Sequence, residues 1–162
     1  MENNLLIVGI DPGTTRIGYG VVESDKNRMV PVEYGLISNP GKVRSIDLVN
    51  THKQLSKIID KHHPEIVAIE KLFFTNNVTT AMSVSEFRGV LLFTCAQKGV
   101  PVVELTPTEI KSGISGYGKA DKNQVQRMVK MILGIKEDIK PDDVADALAI
   151  AICGASNIIP VK

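Results

Sequence analysis

Two short runs, Leu5–Ile10 and Ile66–Ile69, contain no polar side chain, and each is closed by a carboxylate, Asp11 and Glu70. A strand that is apolar throughout has no face to give to water, so both runs belong inside a sheet covered on both sides. Asp11-Pro12-Gly13 has the composition of a tight turn and ends the first run sharply. Ile17–Val22 and Met29–Ile37 read as two further strands in an antiparallel meander, with Ile66–Ile69 as a parallel neighbour of the first strand and Pro101–Leu105 as a fifth. Leu48, Leu55, Ile58 and Ile59 recur at helical spacing and predict an amphipathic helix over Arg44–His62 that stops at His63-Pro64. The segment Val78–Gln97 predicts a helix that is apolar on two sides, with Val84, Phe87 and Leu91 on one and Met82, Leu92 and Phe93 on the other, so it needs two burial partners. Thr106–Ser112 and Asp121–Leu133 read as helices joined by a loop over Gly113–Lys119, and Pro141 opens a last helix that runs to about Asn157. The expected fold class is α/β: a mixed five-stranded sheet with helices on both faces, in a single domain over residues 1–162.

Composition bears on partners rather than on fold. With 43% hydrophobic and 23% charged residues the chain is ordinary globular material, which excludes disorder, collagen-like repeats and coiled coil. Its 19 basic and 18 acidic side chains leave a net charge of +1, so no global field draws it to nucleic acid or to a membrane surface. A polyanion-binding surface must therefore be local. Between Pro107 and Lys136 one exists: Lys111, Lys119, Lys122, Arg127, Lys130 and Lys136 outnumber Glu109 and Asp121, and Lys122, Gln126 and Lys130 share one helical stripe. The glycines at 113, 116 and 118 are read as letting the loop beside that stripe approach a backbone closely. No uncharged apolar segment reaches the roughly 18 residues of a membrane span, and the start Glu2-Asn3-Asn4 lacks the basic, apolar pattern of a secretion signal. Cys95 and Cys153 lack metal-ligand spacing and sit in apolar surroundings, as reduced core thiols of a cytoplasmic protein do.

The chemistry concentrates in four acids. Ligands of open α/β sheets bind beyond the carboxyl ends of strands, where Asp11 and Glu70 stand. Asp143 and Asp146, three residues apart at the start of the last helix, project from one face about 5 to 6 Å apart, continued by Ile150 and Cys153, the stripe expected to pack on the sheet. Asp142 competes with Asp143 for this role, and periodicity leaves the choice open. Partly buried carboxylates demand cations, and two Mg²⁺ ions would cancel four negative charges. Hard oxygen ligands suit Mg²⁺ or Mn²⁺, and paired ions of this kind serve phosphodiester hydrolysis, so the residues point to a metal-dependent nuclease. Phe73 and Phe74, directly after Glu70, are candidates for stacking on bases. His52, His62 and His63 are scattered and read as structural.

The sequence resembles the RuvC-type Holliday-junction resolvases. The likeness is carried by Gly9-Ile10-Asp11-Pro12-Gly13 with Gly18 and Gly20, Ala68-Ile69-Glu70 with Phe73, Arg88-Gly89, Gly116 through Lys122 running into Gln124-Val125-Gln126, and Asp143 with Asp146-Ala147-Leu148-Ala149. It implies a ribonuclease H-like fold and a homodimeric, Mg²⁺-dependent endonuclease, with two ions per active site, that makes paired symmetric cuts in a four-way DNA junction. By position it implies Asp11, Glu70, Asp143 and Asp146 as catalytic, metal-binding acids, preferring Asp143 to Asp142, and Phe73, Lys111, Lys119 and Lys122 as DNA-binding residues. It further implies that Val78–Gln97, with Ala81, Ser85 and Gly89 on one row, forms the dimer, and that a RuvA-RuvB-type branch-migration complex is the partner. Lys71 stands where the family pattern leads one to expect Gln or an acid, and Glu86 where Gln is common. Two rival readings are weaker. Gly9–Thr15 also resembles the first phosphate loop of actin-like ATPases, but the chain has no second such turn or domain, and a non-catalytic DNA scaffold has no need of clustered acids.

Overall fold

The computed structural model describes residues 4–25, 27–73 and 77–158. Five strands, β1 (Leu5–Asp11), β2 (Arg16–Ser24), β3 (Met29–Ser38), β4 (Ile66–Glu70) and β5 (Val102–Leu105), form one sheet in the order β3-β2-β1-β4-β5. The first three make the expected antiparallel meander, and β4 and β5 join it in parallel. The helices are α1 (Arg44–His62), α2 (Val78–Gln97), α3 (Pro107–Ser115), α4 (Lys122–Leu133) and α5 (Asp142–Ile158). Among the described residues no helix is long and apolar enough to cross a membrane.

The strict two-residue alternation of a strand divides the core into two layers. Val8, Ile10, Val67 and Ile69 face α1 and α2, where Leu55, Ile58, Phe87 and Leu91 meet them; Ile7, Ile66 and Ala68 face α5, α3 and α4. Gly9 and Asp11 continue the second set along β1, and Glu70 continues it along β4. Both catalytic candidates of the strands therefore point to the α5 side.

Helix α5 packs unusually close to the sheet because the strands carry glycine beneath it. A Cβ on Gly9 would lie 2.1 Å from the Ala147 carbonyl oxygen, one on Gly18 would lie 1.9 Å from that of Asp143, and one on Gly20 would meet the Leu148 side chain at 2.7 Å. Across the contact α5 answers with small residues, and Gly154 lies against Ala68. The residues of α5 seated on the strand glycines are Asp143, Ala147, Leu148 and Ala151, with Gly154 against Ala68. Of the expected Ile150–Cys153 stripe, Cys153 turns to α3, where its thiol donates to the Ile110 carbonyl at 3.4 Å. The helix is buried on nearly all sides, so an apolar stripe alone did not identify which side meets the strands.

Helix α3 also runs further than expected, through Ser115, and takes in Gly113. A Cβ there would meet the Cys153 sulfur at 2.7 Å, so Gly113 serves helix packing rather than loop flexibility. Only Gly116 of the three glycines needs its freedom, as the left-handed C-cap at φ 71°. Thr106 with Glu109, and Asp121 with Gln124, close reciprocal capping boxes that fix where α3 and α4 begin. Helix α2 has one buried side, Ala81, Phe87 and Leu91, while Leu92 is drawn partly into the same core and Met82 and Phe93 stay exposed.

Candidate active site

The parallel register of β1 and β4 ends on Ile10 opposite Ile69, so Asp11 and Glu70 follow one step on, on neighbouring strands about 4.8 Å apart. Asp11 pairs in the hairpin with Gly18, the residue directly beneath the Asp143 backbone. The close seating of α5 thus brings its first turns over the strand ends. Asp11, Glu70 and Asp146 line a cleft of about 340 Å³, with Lys111 of α3 and Lys122 of α4 on its walls. Asp143 stands at the rim, its carboxylate 3.6 Å from the Arg16 guanidinium.

The electrostatics show what this cleft lacks. Burial, reinforced by Asp146, Glu70 and Asp143, pushes the Asp11 carboxyl up to about 8 against the opposing pull of Lys122. Burial and the Asp146 charge raise Glu70, with Lys111 opposing. Burial also raises Asp146, partly offset by Lys122. Negative charge is packed here beyond what the local cations neutralise. Lys122 Nζ is 3.5 Å from Asp146 Oδ2 and 3.1 Å from Asp142 Oδ2, so the acids of α5 are held by side-chain cations. Among the described residues no three carboxylate, imidazole or thiol side chains converge on one point as they stand, in keeping with their mutual repulsion and with the pull of Arg16 and Lys122. An all-carboxylate donor set with a deficit of positive charge fits hard divalent cations such as Mg²⁺ and Mn²⁺ and suits softer metals poorly.

The sign of the pH effect follows. Folding raises the affinity of Asp11 for its proton, so its contribution is most favourable below about pH 4, the range of a free carboxylic acid, and is lost as pH rises towards 8. In EDTA, the thermal midpoint of Asp11→Asn relative to the unmodified protein is expected to climb steadily between pH 5 and 8. A difference independent of pH would show that Asp11 is not held protonated by the fold.

Other expected residues fall where the structure leaves them free of the cleft. Lys119 is exposed in the loop between α3 and α4 and does not line it, nor does Phe73, which is 54% exposed after β4. Phe74 lies outside the described residues. The stripe Lys122, Gln126 and Lys130 is engaged by acids: Gln126 donates to Asp142 at 3.1 Å and Lys130 to Asp138 at 2.9 Å. Among the described residues Glu70 has no arginine ion partner: Arg88 pairs with Glu104 and donates to the Glu70 carbonyl at 3.3 Å. His52 bonds Thr94, and His62 bonds Glu33, both away from the cleft. Arg16, which nothing in its sequence context singles out, is the unexpected member.

The sequence profile of crossover junction endodeoxyribonuclease RuvC matches residues 7–154. The chain belongs to the RuvC family. The RuvC of Desulfitobacterium hafniense is 47% identical over 155 residues, covering 95% of this chain and 94% of its own, and that of Halothermothrix orenii is 45% identical over 154 residues, covering 94% and 93%. Thermus thermophilus RuvC, solved in complex with a Holliday junction substrate, superimposes with a TM-score of 0.90 at 32% identity, over 95% of this chain and 94% of that one. The ribonuclease H-like fold of RuvC is accordingly the fold of this chain, as the resemblance implied.

Proposed function

We infer that this RuvC-family protein is an endodeoxyribonuclease that resolves four-way DNA junctions in recombination and repair by paired, divalent-metal-dependent phosphodiester hydrolysis. The observation that carries this is the cleft where Asp11, Glu70 and Asp146, with Asp143 at the rim, meet between two lysines in a chain whose relatives bear that name. In this reading the four acids hold two Mg²⁺ ions, with Mn²⁺ able to replace them. When bound, such ions would supply activation of a water and charge stabilisation of the leaving oxygen of the phosphodiester. The chain's own residues do the rest. Asp11 and Glu70, anchored on rigid strand ends, fix the ligand geometry, and Lys111 and Lys122 hold the phosphate from the cleft walls. Lys119, exposed beside the cleft, adds a phosphate contact along the strand, and Phe73 offers its exposed ring to an unstacked base at the crossover.

Paired cuts require two sites related by a two-fold axis. We assign the partner to a second copy of the chain docked on the outer side of α2, where Val78, Met82 and Phe93 are 56–59% exposed and a Cβ on Gly89 would meet nothing within 4 Å. A RuvA-RuvB-type branch-migration complex and the cytoplasm complete the proposed setting. The test is a labelled immobile four-way junction against a linear duplex and an RNA:DNA hybrid, each with Mg²⁺ and with EDTA. Symmetric paired nicks in the junction alone, lost in EDTA, are expected; hybrid cleavage overturns the substrate assignment. Gly89→Glu is expected to yield monomers that lose paired incision, and intact dimers by sedimentation would put the interface elsewhere.

A further inference from the structure

Asp142 is the acid the cleft does not use. It opens α5 with its carboxylate 60% exposed, outside the residues that line the cleft and outside those whose charges raise Asp11. Yet both its oxygens are engaged by a single element. Oδ2 lies 3.1 Å from the Lys122 ammonium, and Oδ1 accepts from Gln126 Nε2, also at 3.1 Å, one turn further along α4. The Gln126 amide fixes the orientation of the carboxylate, and the capping box at Asp121 fixes where Lys122 leaves the helix. Lys122 is therefore shared. Its ammonium is 3.1 Å from Asp142 and 3.5 Å from Asp146, with the nearer partner the one that does not line the cleft.

We propose that Asp142 is a positioning residue acting through Lys122: it holds the ammonium partly off Asp146, so that Asp146 is free to take a divalent cation while Lys122 stays tethered at the cleft wall for the phosphate. The inference rests on the reading of Asp146 as a cation ligand. Its physical basis is competition. An ammonium and a divalent cation cannot both have the same carboxylate oxygen, and a lysine without Asp142 has Asp146 as its nearest remaining acid. A simple contribution of Asp142 to the negative field around the cleft predicts weaker cation binding too, but that contribution does not need Lys122.

A double-mutant cycle separates the two, read by Mn²⁺ binding in electron paramagnetic resonance without DNA and without turnover. Asp142→Asn is expected to weaken Mn²⁺ binding about threefold to fivefold, the range set by an exposed ion pair. Lys122→Ala is expected to tighten it, since the competitor is gone. Asp142→Asn in the Lys122→Ala background is expected to change little, and Asp142→Glu, which still reaches the ammonium, to restore binding. Equal weakening in both backgrounds, or none in the first, overturns the role of Asp142 while leaving the metal site standing. Failure of the unmodified protein to bind Mn²⁺ overturns the metal reading itself and this inference with it.

Discussion

Asp11→Asn is expected to abolish strand cleavage while junction binding persists. The loss expected is on the order of 10³-fold or more in single-turnover rate, about 4 kcal/mol of transition-state stabilisation. Asp11 is the acid on which the others converge: Asp146, Glu70 and Asp143 all raise its proton affinity, so the amide removes the charge at the centre of the cluster. Docking is spared because Lys111 and Lys122 remain on the cleft walls. In EDTA the variant is expected to bind the junction about as tightly as the unmodified protein at neutral pH, where the Asp11 carboxyl holds its proton, and more tightly only above about pH 8, where that carboxyl ionises and repels phosphate. Gel-shift affinity and cleavage of the same labelled junction measure both. Turnover within tenfold of the unmodified enzyme would remove Asp11 from the chemistry and with it the four-acid site.

The second large effect falls on a residue with no functional group. Gly18→Ala places a methyl group where the Asp143 carbonyl oxygen stands 1.9 Å away, and backbone cannot rotate aside as a side chain does. Helix α5 must lift, and it carries Asp143 and Asp146 at the lifted end. A destabilisation of about 3 kcal/mol is expected, lowering the thermal midpoint by roughly 6–12 °C. Cleavage well below that midpoint should fall roughly 100-fold through misplacement of the acids. Gly20→Ala is the graded comparison. Its Cβ meets Leu148 Cδ2 at 2.7 Å and Cγ at 2.9 Å, with the nearest backbone atom at 3.2 Å rather than 1.9 Å, so both losses should be smaller. Calorimetry and single-turnover cleavage on the two variants test the order, and a Gly18→Ala protein as stable and active as the parent would refute the close seating of α5.

Much of this arrangement is legible in the chain before any coordinates. Leu5–Ile10 and Ile66–Ile69 announce buried neighbouring strands, and because side chains alternate along a strand, acids that close such runs must stand at one end of the sheet. The three-residue spacing of Asp143 and Asp146 puts them on one helical face. What the spacing cannot decide is which way that face turns. Asp142 and Asp143 are adjacent, and each is within reach of Asp146; the structure separates them by aiming Asp142 at Lys122 and Gln126 and leaving Asp143 to Arg16 and the charge field of Asp11. The rotation of α5 is set by contact with Gly9, Gly18 and Gly20 on strands more than a hundred residues away in sequence.

The sequence by itself therefore determined the strands, the two-sided sheet and the helix positions to within a few residues, and it narrowed the candidate acids to Asp11, Glu70, Asp146 and either Asp142 or Asp143, because these follow from periodicity and from the cost of burying charge, both local properties. Tertiary structure alone decided the seating of α5, the packing role of Gly113, the pairing of Arg16 with Asp143 and the sharing of Lys122 between Asp142 and Asp146. Each of these is a contact between segments distant in the chain, and such contacts depend on how closely two surfaces approach, which no local pattern of residues encodes.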